Sequence, residues 1–334
     1  MHYILSLRSN VVIGLFLFFS INSFCQVKDS LSLFKPSPHL NQKRLNLAIG
    51  TAAITYTGFS IGLYHTWYKQ YPSEGFHFFN DWNEWQNVDK VGHIYSAHIQ
   101  ASLLFKSAKW TGLNESKSIL WASLLSGVSQ TTIEIMDAFS SQWGFSVADF
   151  GANLAGIGLF ASQQKAWKDQ RMVMKVSSWP NDYNAVYDQY DFSNITRSAF
   201  GNRANQLYGS GYVERYLKDY NAQTLWLSAN IKSFFPNAPT PSWLNIAVGY
   251  GAENMLGGFE NEWNLNSDQF ISVDQEIFPR YQQFYLAFDV DFNRIKTRSP
   301  FLKSVFSLLN LLKAPSPAIE INSLGELRYH LVFL

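Results

Sequence analysis

The sequence predicts an α+β protein: a four-helix unit, membrane-embedded or membrane-proximal, followed by a mainly antiparallel β region. Three observations carry this expectation. Long charge-poor stretches rich in Gly, Ala and Ser fill residues 43–170. From about Ser177 the apolar residues switch to period-two alternation, which marks strands. Charged residues are only 15% of the chain, against about 25% in ordinary soluble domains. With 27 Phe, 17 Tyr and 11 Trp, that balance suits contact with lipid or a large aromatic core.

The first 25 residues read as a secretion signal: Arg8 as the positive flank, an apolar run from Val11 to Phe19, and a short polar exit from Ser20 to Gln26. The one cysteine, Cys25, stands where cleavage is expected. It is either the last residue removed or a lipidated first residue. Asn22, Ser23 and Phe24 depart from the usual Leu-small-small-Cys lipidation signal, which favours simple cleavage. The mature chain then holds no disulfide.

Residues 26–42 form a polar linker with Pro36 and Pro38. The helical domain is expected over 43–175 and the β region over 176–334. Leu45–Tyr64 carries no charge for twenty residues, the length that crosses a bilayer. Gly50, Ala52, Ala53, Gly58 and Gly62 allow close helix contact. Lys43 and Arg44 precede it, and His65, Trp67, Tyr68 and Lys69 follow as an interfacial anchor. The alternative reading of the same stretch is a buried helix of a soluble bundle. Residues 72–87, aromatic and irregular, fit an interfacial helix or a loop capping a bundle. Three further helices are expected over Asp89–Trp110, Glu115–Phe139 and Val147–Lys168, with Gly112 and Gly144 at two breaks.

Strands are expected over Thr224–Lys232, Leu244–Tyr250, Phe284–Phe292 and Leu327–Phe333, with a short one at Ile319 and Ile321. Phe301–Lys313 reads as an amphipathic helix ended by Pro315. Five strands fall short of the eight or so that a membrane barrel needs. The pattern therefore points to a sheet or partial barrel packed on the helical unit, not a pore.

Charges are scarce in the helical unit, so those present are the candidate site. Asp89 and His93 are four apart, hence on one helical face, with Lys90 beside them. Glu134 and Asp137 share a face of the next helix, and Asp149 and Asn153 a face of the last. Three chemistries fit these residues. They form a structural polar network, a general acid–base or ligand site, or a metal site built on His93, Glu134, Asp137 and Asp149. Asp89 also suits a helix cap, Ser146 and Asp149 a capping box, and Asn153 a bridge between helices. Acids near a helix C-terminus oppose the macrodipole, so Glu134 and Asp137 need another partner. Lys90 is the expected counter-ion of one acid. Histidines 65, 77 and 98 read as surface, interface or packing residues.

The ordered set resembles the YfiM-like envelope proteins, in the longer form found in Bacteroidota. It comprises Asp89-Lys90-x-x-His93, Glu134 with Asp137, and Trp143-Gly144-Phe145-Ser146-x-x-Asp149-x-x-x-Asn153-x-x-Gly156. It is more distantly similar to VanZ-like membrane proteins. The resemblance spans about residues 75–175 and implies a helical membrane or membrane-proximal domain. It carries over no catalytic assignment and no glycopeptide resistance.

A net charge of +1 and the lack of a long Lys/Arg run exclude a nucleic-acid footprint. The chain has no Gly-x-Ser-x-Gly, His-Glu-x-x-His or Gly-x-x-x-x-Gly-Lys motif. A single motif His without an accompanying Arg argues against a lipid-phosphate phosphatase. The expected protein is exported and bound to the envelope, inner or outer membrane left open, with membrane lipid or another envelope component as partner. Its role is expected to be non-enzymatic binding or structure. The alternative is a membrane-associated hydrolase or transferase using the Asp/His/Glu cluster, with or without a metal. No cofactor is assigned.

Overall fold

A computed structural model describes residues 33–333 apart from 70 and 268. The expected signal segment, Cys25 and the side chain of Trp67 lie outside the described residues.

Helix α1 (Gln42–Leu63) starts where the Asn41 side chain accepts from the Arg44 amide, and it runs on into a π-helical turn, Tyr64–Tyr68. It buries none of its residues, which departs from the expected buried helix. Nor is any described helix long and apolar enough to cross a membrane. Thr51, Thr55, Thr57 and Ser60 dilute the apolar stretch of α1 enough to deny it a span, although it carries no charge from Leu45 onward. Arg44, over the Trp110 ring at 4.7 Å, and a 2.7 Å hydroxyl pair, Tyr56 and Thr132, join it to its neighbours.

Three helices form the bundle proper: α2 (Val88–Trp110), α3 (Glu115–Ala138) and α4 (Val147–Trp167). Asn114 caps α3 through the Lys117 amide, and Ser146 caps α4 through the Asp149 amide. At the α2–α4 crossing a Cβ on Gly156 would stand 2.3 Å from the carbonyl oxygen of Ile94. Only glycine lets the two backbones approach this closely.

The aromatic segment before α2 is a loop, not an interfacial helix. It exchanges backbone hydrogen bonds with the α3–α4 connection, Phe79 to Phe145 and Phe145 to His77. It ends in a tight turn with four non-glycine residues at positive φ: Asn83, Trp85, Gln86 and Asn87. Such backbone persists only where the surroundings hold it. Here Trp85 donates its amide to Gly258 at 2.7 Å, and the Tyr250 hydroxyl donates to Gln86.

The β region is one six-stranded antiparallel sheet in the order β1 (Met172–Ser178), β2 (Gln223–Asn230), β3 (Leu244–Glu253), β6 (Tyr281–Val290), β7 (Ser316–Asn322), β8 (Leu327–Phe333). A separate hairpin pairs β4 (Glu262–Asn266) with β5 (Gln269–Ser272). Strand β1 and this hairpin are additions to the five strands legible in the sequence. Three short helices, α5 (Tyr183–Tyr187), α6 (Arg197–Tyr208) and α7 (Tyr212–Lys218), lie between β1 and β2, and a one-turn α8 (Ile231–Phe234) follows β2. Phe200, Tyr208, Leu256 and Phe278 of this region are almost fully buried in one aromatic core. The expected amphipathic helix is α9 (Pro300–Leu309), capped by Ser299.

The sheet is strongly curled. Lys175 of β1 and Asp289 of β6 make a 2.8 Å salt bridge, although in a flat sheet strands three places apart stand about 14 Å from each other. Leu311–Lys313, leading into β7, pair with the outer edge of β1 through Val176.

Alternation leaves one face of the sheet apolar and outward, and places a mixed polar and aromatic set inside. Inward positions include Lys175, Ser228, Asn245, Gln283, Asp289 and Glu320, all buried. Outward positions form three cross-strand rows: Ala229–Ile246–Phe288, Leu227–Val248–Leu286–Ile319–Tyr329, and Leu225–Tyr250–Phe284–Ile321–Leu327. Helix α2 covers this face over β1 and β2, where Val88 packs with Val176 and Leu225. Over β6, β7 and β8 the rows stand exposed.

Candidate functional site

The sequence-predicted residues of α2, α3 and α4 do converge. At the centre stands the Lys90 amine, buried, at 2.6 Å from Asp81 Oδ2, 2.8 Å from Asp149 Oδ1 and 3.0 Å from Asp89 Oδ2. Lys90 therefore meets three acids rather than one. Burial works against the charged amine, yet Asp89, Asp149 and Asp81 together carry its pKa above the ordinary lysine value.

The acids divide into ionised and neutral members. Burial raises carboxyl pKa values, and for Asp89 it is outweighed by His93, Lys90 and the Tyr220 hydroxyl, which hold the group below its usual range. Asp81 is likewise held low against its burial, by hydrogen bonds from Asp149, Lys90 and Ser146. Asp149 is pushed up to about 9 by burial, by the Asp89 charge and by its hydrogen bond with Asp81. Asp149 thus carries the proton that the pair shares. Glu134, also raised mainly by burial, with Asp149, Asp137 and Asp89 adding to it, reaches about 8.

His93 sits between the two groups of acids. Its Nδ1–H donates to Asn153 Oδ1 at 3.1 Å, and Asn153 Nδ2 donates to Glu134 Oε1 at 3.0 Å. Its Nε2 faces Asp89 Oδ1 and Asp149 Oδ1, each at 3.8 Å. Asn153 bridges helices, as the sequence suggested. Asp89 does not cap its helix: its carboxylate accepts from Tyr220 at 2.7 Å and from Lys90. Ser146 caps the Asp149 amide, but the Asp149 carboxyl turns to Lys90 rather than closing a capping box.

Asp137 departs from the cluster. It accepts a 2.6 Å hydrogen bond from Tyr68 in the π-helical turn, and burial lifts its pKa to about 6. That bond answers the macrodipole problem for Asp137, and the Asn153 amide answers it for Glu134. Of the four residues expected to hold a metal, only His93 and Asp149 join such a group; with Asp89 their ligand atoms lie within 4.8 Å of one another. The donor set of two carboxylates and one imidazole suits a divalent cation. It fits poorly here, because the Lys90 ammonium already stands at 2.8 and 3.0 Å from both carboxylates.

Of the other histidines, His98 is almost fully buried in α2, and burial with Lys106 lowers its pKa to about 4, so it packs as a neutral ring. His65 is exposed, whereas His77 is half-buried with its Nε2 on the Trp143 carbonyl at 2.6 Å.

Three residues of the network escaped the sequence reading. Asp81 lay inside the aromatic run, where its charge beside Asn80 and Trp82 gave a faint signal. Tyr68 and Tyr220 carry no local signal, since folding brings them in from outside the motif. Two clefts of about 270 and 180 Å³ lie elsewhere, on the sheet side of the protein, and share Asn181, Asn221, Glu253 and Arg328. Beside the smaller one His330 Nε2 meets the buried Glu320 at 2.7 Å. The sequence gave no reason to join these residues, because β7 and β8 bring them together.

Residues 74–163 match a family described as predicted periplasmic lipoproteins (DUF2279). The matched stretch holds Asp81, Asp89, Lys90, His93, Glu134, Asp137, Asp149 and Asn153, but neither tyrosine and none of the sheet. It covers 90 of the 334 residues. No curated protein and no solved structure gives a significant match to the chain. Over the helices that build the network the chain is similar to this predicted periplasmic lipoprotein family, which fits an exported, envelope-associated protein of unknown function.

Proposed function

We propose that this chain is a non-enzymatic component of the cell envelope, with a binding or structural role in which the charged network serves architecture rather than turnover. One observation carries the reading: Lys90 Nζ lies within 3.0 Å of three carboxylates. Lys90 and Ser146 bind Asp81, Lys90 and Tyr220 bind Asp89, and Asn153 binds Glu134, so internal partners hold most of the network. Through the Tyr220–Asp89 bond it also joins the helical bundle to the β region, since Tyr220 stands three residues before β2 begins at Gln223. Such a buried set is costly to break, since removing one partner strands the charge of the others. The predicted periplasmic lipoprotein match supports the envelope setting, and the motif order supports the narrower YfiM-like and VanZ-like likeness.

A second reading, a membrane-associated hydrolase or transferase, has one observation in its favour: the Asp89–His93–Asp149 group. His93 keeps a side chain 18% exposed, so only a narrow approach leads to it.

Elemental analysis of detergent-extracted protein, wild type beside His93→Ala, separates the two. The architectural role predicts no stoichiometric metal in wild type. Near-stoichiometric metal, lost in a His93→Ala variant that still folds, would overturn it and install the metal enzyme.

A further inference from the structure

We propose that the uncovered outward face of β3, β6, β7 and β8 is a lipid-contact surface that sinks into one leaflet of a bilayer. This goes beyond the reading above, because it rests on the sheet and not on the buried network.

The first argument is polarity. A half-exposed antiparallel sheet in water turns its apolar side chains inward and its polar ones out. This sheet turns an apolar face outward and buries Lys175, Gln283, Asp289 and Glu320 inside, beside a small aromatic cluster around Trp226 and Tyr285. Phe284, Leu286 and Phe288 of β6 are 47%, 51% and 56% exposed. Their sequence neighbours Tyr285, Ala287 and Asp289 are buried inside the curl. A polar interior with an apolar exterior is the arrangement of proteins whose surroundings are lipid.

The second argument is what the rows lack. None of the three outward rows contains a charged side chain. A protein–protein interface carries roughly one hydrogen bond per 100–200 Å². The uncovered rows offer only the Tyr329 hydroxyl, since the Tyr250 hydroxyl is already spent on Gln86. A second copy joined edge to edge at β8 would extend the sheet but leave the rows bare. Lipid chains ask for no hydrogen bonds and cover the rows directly.

Height decides how deep the face goes. From Leu244 to Tyr250 the apolar band measures about 20 Å along the strand. The hydrocarbon core is about 30 Å thick, and strand tilt shortens the band further. It therefore fills one leaflet and does not cross. Shallow seating also avoids a penalty that crossing would incur, because β8 ends the sheet order and a sheet edge in mid-bilayer leaves backbone groups unpaired. Trp243, partly exposed just before β3, stands at one end of the band, where an amphipathic ring belongs at a lipid–water boundary.

The test uses the full chain with Cys25→Ser and one new cysteine, Leu286→Cys, carrying an environment-sensitive fluorophore. A parallel protein carries the label at Glu262→Cys, exposed on β4. Both are bound to vesicles of phosphatidylethanolamine and phosphatidylglycerol with nitroxide on the acyl chains. The expected result is a blue shift and loss of emission to the nitroxide at 286, with protection from aqueous iodide, and neither at 262. Because residue 286 points away from the core, a label there leaves the fold intact; Ile319→Cys repeats the measurement on the next strand. A label at 286 and 319 that iodide quenches as readily as at 262 would overturn the proposal. So would burial of both labels without lipid through close approach of two copies, which would make the face an interface between copies. Failure here leaves the network reading standing, because the metal analysis does not involve the sheet.

Discussion

Lys90 Nζ and Asp81 Oδ2 meet at 2.6 Å, and both are buried. The pair ties the aromatic loop to the first turn of α2, and Asp81 extends it to α4 by accepting from Ser146 at 2.6 Å. The loop, the start of α2 and the start of α4 are held around one cation.

Removing that cation should be severe. Lys90→Met keeps the length and apolar stem of the side chain but leaves Asp81 and Asp89 without a counter-charge. The expected loss is about 3–5 kcal/mol, the range for a buried pair deprived of one partner. Urea unfolding in detergent measures it. The triple variant Lys90→Met, Asp81→Asn, Asp89→Asn should recover part of the loss. A Lys90→Met protein as stable as wild type would show that the network contributes nothing to the fold.

The same groups set a pH dependence. Asp149 and Glu134 have folded pKa values raised to about 9 and about 8. A carboxyl so raised contributes stability that is fully present below its unfolded pKa, about 4, and that is lost as the pH rises through the folded value. Asp81 and Asp89 are lowered, so their contribution is present above the unfolded value and fades as the pH falls below it. Stability should peak in mildly acidic solution and decline from there to about pH 9. Glu134→Gln, neutral at every pH, should flatten the alkaline decline. Melting curves across this range are the check, and a melting temperature that climbs into the alkaline range would refute the protonated state of these acids.

How far the sequence anticipated this site follows from where its members lie. Asp89, His93, Glu134, Asp149 and Asn153 sit on three helices at spacings that share a face, so helical periodicity alone collected them. Asp137 had the same periodicity and went elsewhere, because Tyr68, from the turn after α1, reaches it first. Periodicity assigns a face, not a partner. The strands β2, β3 and β6 were legible from alternation, but alternation does not say which face is inside. Contacts such as Lys175–Asp289, between residues 114 apart, place charged side chains in the interior. Residues 172–178 hide β1 because all but its ends are buried on both faces, which removes the period-two signal. Helix α1 was misread for the converse reason. A charge-free run looks buried, whereas this one buries nothing.

One phenol links the charged network of the bundle to the β region. Tyr220→Phe removes the hydroxyl that donates to Asp89 at 2.7 Å while keeping the ring that packs against Trp85. Loss of a hydrogen bond to a charged acceptor costs about 1.5–3 kcal/mol. The bond spans two regions, so its loss should show first as faster hydrogen exchange in the turn before α2 and in the first residues of β2. Exchange that rises uniformly over the whole chain would mean the bond supports the fold globally and does not couple the two regions.

The α2–α4 crossing gives the sharpest steric case. A methyl at residue 156 would stand 2.3 Å from the Ile94 carbonyl oxygen and 3.0 Å from the Ala97 Cβ. Backbone cannot step aside as a flexible side chain does, so Gly156→Ala must push the helices apart. Helix propensity favours the change by about 1 kcal/mol, while overpacking a close contact costs typically 1–3 kcal/mol, so the clash prevails. The separation also pulls Asn153, one turn earlier on α4, away from His93 at the point where their 3.1 Å bond holds the imidazole. Gly156→Ala should therefore lower the melting temperature and change the His93 ring environment in NMR together. Gly158→Ala, two residues on and open to space, should raise helix stability and leave His93 untouched. Equal effects at the two glycines would mean that close packing at this crossing does not position the site.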